Sequence, residues 1–252
     1  YLNNLETARK ILAVFLTKLL KEKENNQLDR MKIGIVGGGQ LGKMMILEGK
    51  KLGLSFAILD PTEDCPASSI ADEHIVKDFY DRDAIRELAK ITDVLTYEFE
   101  DINAEVLMDL ENEGYKIYPS PETLHIIQNK FNQKTFLDKH NLPVGDFEKI
   151  NTLDELYKIS DIYGFPLLLK SCRGGYDGKG NYFIKGREDI PLAYEELGGG
   201  KSQLMAEIYI DFKKEVSVIA ARGMSGEIRT YPLVENIHEN NILKTTIVPA
   251  RV

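Results

Sequence analysis

Residues 167–181 have the sequence Leu-Leu-Leu-Lys-Ser-Cys-Arg-Gly-Gly-Tyr-Asp-Gly-Lys-Gly-Asn. The apolar run predicts a buried strand, which ends near Lys170 and is followed by a loop with four glycines in seven residues. Glycine lets the backbone approach a polyphosphate closely and turn its N–H groups toward it, while Lys170 and Lys179 supply positive charge. The pattern therefore predicts a phosphate-binding loop.

A second glycine-rich loop, Gly37-Gly38-Gly39-Gln40-Leu41-Gly42, follows a predicted strand and precedes a predicted helix. With Asp60 at the end of the next strand, it matches the dinucleotide-binding pattern Gly-x-Gly-x-x-Gly and its acidic residue about 20 positions further on. Alone, this loop favours a nicotinamide-dependent oxidoreductase. A tight turn that only packs a helix against a strand is the simpler alternative. The downstream half, however, carries the other phosphate-type loop and no dehydrogenase-like catalytic constellation.

Composition excludes several classes of protein. The chain has 252 residues, 43% of them hydrophobic, and a formal net charge of -8, which argues against a nucleic-acid-coating or membrane-surface role. Its two cysteines, Cys65 and Cys172, are too few for a disulfide scaffold and suit a reducing cytoplasm. The longest apolar stretch, residues 11–20, is interrupted by Lys18 and is shorter than the roughly 20 residues of a membrane helix.

The chain divides by pattern into three parts. Residues 1–30 have leucines at helical spacing and predict an appended helical leader. From residue 31, short apolar strands alternate with amphipathic helices, which implies a parallel sheet, and a boundary follows the proline-rich turn at 118–121. Beyond it the pattern is α+β. The predicted helices are 41–52, 82–91, 131–140 and 153–163, and the predicted strands are 32–36, 55–60, 94–97, 166–171, 182–185, 204–207 and 215–221.

Taken together, these motifs resemble the N5-carboxyaminoimidazole ribonucleotide synthetase family of ATP-grasp ligases over residues 31–252. The resemblance implies an α/β fold, with a Rossmann-like parallel-sheet pre-ATP-grasp domain at 31–129 and an α+β ATP-grasp domain at 130–252 that is incomplete at its C-terminus. It also implies carboxylation of 5-aminoimidazole ribonucleotide with ATP and bicarbonate in purine biosynthesis. Three alternatives stay open: another ATP-grasp ligase such as formate-dependent glycinamide ribonucleotide transformylase, an NAD-dependent Rossmann oxidoreductase, and a noncatalytic nucleotide-binding module.

The resemblance also assigns roles to residues. Asp177 would orient or deprotonate the substrate amine, backbone groups at 207–210 would contact adenine, and Glu215 would accept hydrogen bonds from the ribose. The full set expected at ATP is Lys130, Lys170, Gly175, Tyr176, Asp177, Gly178, Lys179, Gly180, Asn181, Glu207, Ile208, Tyr209, Ile210, Glu215 and His238. The set expected at the aminoimidazole nucleotide is Gly39, Gln40, Leu41, Glu98 and Tyr176.

Each assignment has a plainer alternative. Lys130 suits a solvated helix face, Asp177 a turn before glycine, Glu215 an exposed strand face, and His238 a surface position. Magnesium is expected with ATP, but the family's late Glu-x-Asn ligands are absent from this sequence, so we expect no metal ligands before Val252 and a C-terminally truncated synthetase. The resemblance further implies a homodimer and a functional pairing with the carboxyaminoimidazole ribonucleotide mutase.

Overall fold

A computed structural model describes residues 31–174, 180–239 and 242–251. The predicted leader at 1–30 and loop residues 175–179 lie outside this part. The chain divides into two compact units. The first contains the described residues up to His125 together with Ile219–Tyr231, and the second contains Ile126–Val218 and the residues from Pro232 onward. None of the described helices is long and apolar enough to cross a membrane.

The first unit is built on a parallel sheet, as the alternating pattern predicts. Its strands are β1 (Lys32–Val36), β2 (Ser55–Leu59), β3 (Glu73–Ile75) and β4 (Val94–Tyr97), in the order β3-β2-β1-β4. All three pairings are parallel. The helices are α1 (Gln40–Lys50), α2 (Arg82–Lys90), α3 (Ala104–Asn112) and α4 (Pro121–Ile127), the last of which contains the boundary between the units.

Apolar side chains cover both faces of this sheet. Ile35 of β1 lies in a buried cluster with Phe56 and with Ile46 of α1. The neighbouring residue Val36 lies in a second cluster with Leu88 of α2 and with residues of α3. Because side chains alternate along a strand, the two clusters occupy opposite faces. This confirms the predicted Rossmann-like α/β fold.

The second unit contains an antiparallel sheet with the order β5-β8-β6-β7. Leu167 and Leu169 of β6 pack in a buried cluster with Leu156 and Ile190, which come from two helices. The strands are β5 (Phe147–Ile150), β6 (Leu167–Ser171), β7 (Asn181–Ile184) and β8 (Leu204–Ile208). The helices are α5 (Lys130–Lys139), α6 (Leu153–Tyr163) and α7 (Ile190–Glu196), with a 3-10 turn at Arg187–Asp189.

The prediction of a single strand at 215–221 is wrong, because the structure has two short strands there. Strand β9 (Glu215–Ser217) pairs with β12 (Val234–Glu239), which also pairs with β13 (Ile242–Ile247). Strand β10 (Ala220–Arg222) instead pairs with β11 (Ile228–Thr230). The alternation of apolar residues indicates strand propensity. It does not indicate that the chain changes its pairing strand between Ser217 and Ala220.

Candidate functional site

Strand β6 places Lys170 on the face of the sheet opposite the buried cluster. Lys170 lies opposite Met205 of β8, and Leu168 lies opposite Glu207. Directly paired residues share a face, and so do residues two apart on one strand. Lys170 and Glu207 therefore lie on the same face, while Leu167 and Leu169 face the core.

Glu207 is a nearly buried carboxylate with two cationic partners. One oxygen forms an ion pair with the Lys170 ammonium, and the other lies 2.5 Å from the Lys134 ammonium of α5. Burial raises the pKa of Glu207, but the two ammonium groups oppose this and leave the pKa below its ordinary value. The carboxylate is therefore charged at neutral pH. Lys134 also lies over the Phe147 ring, 5.4 Å from its centre.

Lys130, the first residue of α5, contacts the residues at the beginning of the glycine-rich loop. Its backbone N–H donates to the Cys172 carbonyl at 2.8 Å, and its ammonium donates to the carbonyls of Ser171 at 3.1 Å and Gly174 at 2.9 Å. Asn129 caps the start of α5, because its side-chain oxygen accepts the N–H groups of Phe131 and Asn132. These bonds fix the start of α5 beside the end of β6, so the two lysines predicted to bind phosphate lie on elements that meet at one point.

The central residues of the predicted loop, Gly175, Tyr176, Asp177, Gly178 and Lys179, lie outside the described residues. Their assigned roles stay predictions. On the far side of the loop, the Gly180 carbonyl accepts the Ser171 N–H at 2.9 Å. Asn181 begins β7 and pairs with Lys170. The described ends of the loop are thus held together beside Lys170.

The segment expected at adenine, residues 207–210, comprises the last two residues of β8 and the two residues that follow it. Ile208 is the last residue of that strand and donates its N–H to the Asp146 carbonyl at 3.0 Å. Tyr209 and Ile210 are exposed, at 40% and 52%. The Tyr209 ring packs edge-on against Phe183 of β7, with ring centres 5.2 Å apart. An exposed apolar and aromatic strip therefore continues from the face that carries Lys170.

Glu215 and His238, both expected at the nucleotide, contact each other. The Glu215 carboxylate lies 2.7 Å from Nδ1 of His238, on the neighbouring strand β12. Both side chains are partly exposed. Close by in sequence, Glu235 is buried and accepts hydrogen bonds from Lys214 and Arg251. Its carboxylate is therefore engaged by two cations of the chain.

The first glycine loop binds carboxylates of its own unit. Glu98, just beyond β4, accepts the N–H of Gly39 at 2.9 Å and of Leu41 at 3.0 Å. Asp60 is 6% exposed and accepts the N–H of Gly38 at 2.8 Å. Gly39 is the N-cap residue of α1 and has no side chain to form a cap, so Glu98 satisfies these N–H groups in its place.

This arrangement explains why glycine occupies positions 37 and 39. A Cβ atom at Gly39 would lie 2.6 Å from a carboxylate oxygen of Glu98, and one at Gly37 would lie 2.8 Å from the other. Gly37 also has φ +113°, a conformation that favours glycine. In a dinucleotide site, by contrast, the loop N–H groups and the acidic residue are available to the cofactor. In this structure Asp60 and Glu98 bond to the loop.

No group of three or more His, Cys, Asp or Glu that could hold a metal ion occurs within 31–174, 180–239 and 242–251. Lys134 is a site residue that sequence reasoning did not select. Its spacing from Lys130 was the available signal, because residues four apart share one face of a helix. Its partner Glu207 comes from a distant part of the sequence, which the spacing does not reveal.

A lysine on an antiparallel strand, followed by a glycine-rich loop and preceded in the chain by a Rossmann-like unit, defines an ATP-grasp protein. Comparison with known families agrees. Residues 30–128 match the ribonucleotide synthetase preATP-grasp domain, and residues 135–252 match the ATP-grasp domain.

Individual relatives narrow the class. The chain is 43% identical over 220 residues to N5-carboxyaminoimidazole ribonucleotide synthase of Bacillus subtilis, a match that spans 87% of this chain and 57% of the relative. The Staphylococcus aureus N5-carboxyaminoimidazole synthetase complexed with ADP superposes with a TM-score of 0.84 at 38% identity, over 88% of this chain and 59% of that one. The Aspergillus clavatus enzyme, solved with ADP and 5-aminoimidazole ribonucleotide, superposes with a TM-score of 0.81 at 37% identity. The match covers 89% of this chain and 58% of that one.

The chain belongs to the N5-carboxyaminoimidazole ribonucleotide synthetase family of ATP-grasp proteins, which confirms the resemblance seen in the sequence. It spans somewhat more than half the length of the relatives that it matches.

Proposed function

We propose that this chain provides the nucleotide-binding and substrate-facing parts of an ATP-dependent carboxylase that acts on 5-aminoimidazole ribonucleotide in purine biosynthesis in the cytoplasm. The observation that carries the proposal is Lys170, which pairs with Asn181 where the described ends of a glycine-rich loop meet, in a chain 43% identical to a synthase of this name. Two similar structures contain ADP, one of them with 5-aminoimidazole ribonucleotide.

We assign the nucleotide to the domain at 130–252 and the aminoimidazole substrate to the domain at 31–129, with residues 1–30 as a separate leader. Lys130 and Lys170 would hold the ATP phosphates, with the loop at 175–181 covering them. Residues 207–210 would contact adenine. Glu215 would bind the ribose hydroxyls and His238 would contact the nucleotide; the 2.7 Å contact between the two side chains is consistent with one shared site. Substrate contacts would come from Gly39, Gln40, Leu41, Glu98 and Tyr176.

The reaction proceeds in two steps. An oxygen of bicarbonate attacks the γ-phosphorus of ATP, the bond to the β,γ-bridging oxygen breaks, and ADP and carboxyphosphate form. The exocyclic amine of 5-aminoimidazole ribonucleotide then attacks the carboxyl carbon, and the C–O bond to phosphate breaks. Asp177 accepts the proton that the amine loses. Carboxyphosphate is labile in water, so a glycine-rich loop that closes over it protects the intermediate.

Magnesium offsets charge on the ATP phosphates in enzymes of this class. The described residues present no cluster of potential ligands for it.

Two protein partnerships belong to the same proposal. We propose a homodimer, which light scattering of the purified chain tests. We also propose a functional pairing with the carboxyaminoimidazole ribonucleotide mutase, since the carbamate product is unstable and a nearby enzyme would consume it.

The decisive experiment measures ADP release in the presence of ATP, magnesium, bicarbonate and 5-aminoimidazole ribonucleotide. Two proteins are compared: the chain as given, and the chain extended by the C-terminal part of the Bacillus subtilis relative. We expect the extended protein to release ADP, and this release should require both bicarbonate and the ribonucleotide. Asp177→Asn should keep ADP binding and lower turnover about 10²–10⁴-fold, which is typical of general acid–base groups.

Other outcomes identify the alternatives. ADP release that depends on formate and glycinamide ribonucleotide would identify the transformylase. ADP binding without turnover in either protein would support a noncatalytic module. Turnover in Asp177→Asn close to that of the unmodified protein would show that this residue only forms a turn.

A further inference from the structure

One carboxylate in the second unit is shared by two lysines from different elements. Glu207 of β8 is 6% exposed, and its oxygens contact the ammonium groups of Lys170 on β6 and Lys134 on α5. One negative charge thus faces two positive charges. The group has a net charge of +1 and lies beside the described ends of the glycine-rich loop.

Either lysine alone would neutralise Glu207. If Lys170 were its only partner, the pair would be neutral, and the Lys170 ammonium would have to leave a nearly buried carboxylate before it could bind a phosphate. An unpaired buried carboxylate is costly, so this exchange would oppose nucleotide binding. Lys134 removes that cost, because Glu207 keeps a cationic partner when Lys170 turns to a ligand.

The position of Lys134 is fixed by its helix. Asn129 caps the start of α5, and Lys130 ties the same turn to the carbonyls of Ser171 and Gly174. Phe131 packs edge-on against Phe147, with ring centres 5.5 Å apart, and Lys134 lies over the Phe147 ring. The ammonium is therefore held at Glu207 by packing as well as by charge.

We propose that Lys134 is a positioning residue for nucleotide binding: it neutralises Glu207 and so leaves the Lys170 ammonium available to a nucleotide phosphate. The inference rests on the proposed function, in which Lys170 binds phosphate. Lys134 acts through Glu207 on Lys170 and does not itself contact the nucleotide.

The test is calorimetric titration of the full chain with ADP. Lys134→Met should weaken ADP binding roughly tenfold, because Lys170 then becomes the counter-ion that the buried Glu207 carboxylate would lose when the ammonium turns to a phosphate. Lys139→Met is the matched control: it removes the same charge from the exposed end of the same helix and should leave the Kd unchanged. Lys134→Arg, which keeps a cation at Glu207, should restore most of the affinity.

The double variant separates positioning from direct contact. If Lys134 acts through Lys170, then Lys134→Met should weaken ADP binding little further in a Lys170→Met background. A tenfold loss in that background would mean that Lys134 binds the nucleotide itself and would overturn the inference. A lowered Tm with unchanged Kd in Lys134→Met would show a structural ion pair only, and would overturn it too.

The same titrations distinguish this inference from the function on which it rests. If Lys170→Met binds ADP as tightly as the unmodified chain, the proposed nucleotide site is wrong and the inference falls with it. If Lys170→Met is weakened but Lys134→Met is not, the nucleotide site stands and the inference alone is overturned.

Discussion

Asp60, Glu98 and Glu207 each bind groups of the protein that would otherwise attract an anionic ligand. Asp60 and Glu98 accept backbone N–H groups of the first glycine loop. Glu207 pairs with two lysines beside the second. The consequence differs because N–H groups bonded to a carboxylate are occupied, whereas two lysines on one carboxylate leave a surplus positive charge. The contacts of these three carboxylates thus favour the second glycine-rich loop over the first as the site that binds an anion.

Glu207 also makes stability depend on pH. Its pKa is lower in the folded chain than its ordinary value, so its ion pairs stabilise the fold above the unfolded pKa of about 4.3. This contribution is lost as the pH falls through the folded pKa. Glu207→Gln should therefore lower the free energy of unfolding by about 2 kcal/mol at pH 7, since two partly buried ammonium groups lose their counter-charge.

The measurement is urea unfolding of both proteins at pH 7 and pH 3. The difference between them should be larger at pH 7 than at pH 3. Glu148→Gln, an exposed carboxylate on the adjacent strand β5, serves as control and should change little at either pH. A Glu207→Gln effect that is equal at both pH values would show that shape and packing, and not the charge, account for the loss.

At the scale of elements, the sequence predicts what local pattern determines. Strand β1, helix α6 and strand β6 lie close to their predicted ranges, because apolar periodicity and glycine or proline boundaries mark them clearly. The break between Ser217 and Ala220 was not predictable, since it depends on which strands supply partners. Short elements such as β3 and β11, with three residues each, carry too little pattern to be recognised.

At the site, too, local sequence pattern predicts only part of the arrangement. Lys170 could be predicted because the strand and the glycine-rich loop are adjacent in sequence. Lys134 could not, because its importance comes from Glu207 on β8, and only the packing of α5 against the sheet brings the two together. Glu98 was expected to contact substrate, and that role stays a prediction. Its bonds to the glycine loop were missed because they join β4 to the start of α1.

Helix α1 and strand β2 provide a test at the same scale. A Cβ atom at Gly49 would lie 2.2 Å from the Phe56 ring, so glycine is required for the helix to lie against the strand. Phe56 is fully buried and cannot move aside freely. Gly49→Ala should lower the free energy of unfolding by about 1–3 kcal/mol, the usual cost of overpacking, despite the better helix propensity of alanine.

Chemical denaturation of the single and double variants checks this explanation. Adding Phe56→Leu to Gly49→Ala should cost less than Phe56→Leu costs in the unmodified chain, because the smaller side chain accommodates the new methyl group. Additive losses in the double variant would show that Gly49 and Phe56 do not constrain each other.

At the scale of the whole molecule, local charge outweighs net charge. The chain carries a formal charge of -8, yet Lys130, Lys134 and Lys170 converge at the end of β6. An anionic nucleotide responds mainly to the nearby cations, because distant surface charges are screened within about 10 Å at ordinary ionic strength. The two glycine loops lie in different units, and we propose that the second unit binds the nucleotide phosphates.

Competing titrations with ADP and NADH test this central claim most directly. Calorimetry should show ADP binding by the unmodified chain, at least tenfold weaker binding by Lys170→Met, and unchanged binding by Asp60→Asn and by the control Lys139→Met. NADH should give no binding heat with any of them. NADH binding that Asp60→Asn abolishes, together with no ADP binding, would contradict the account and place the cofactor on the first glycine loop.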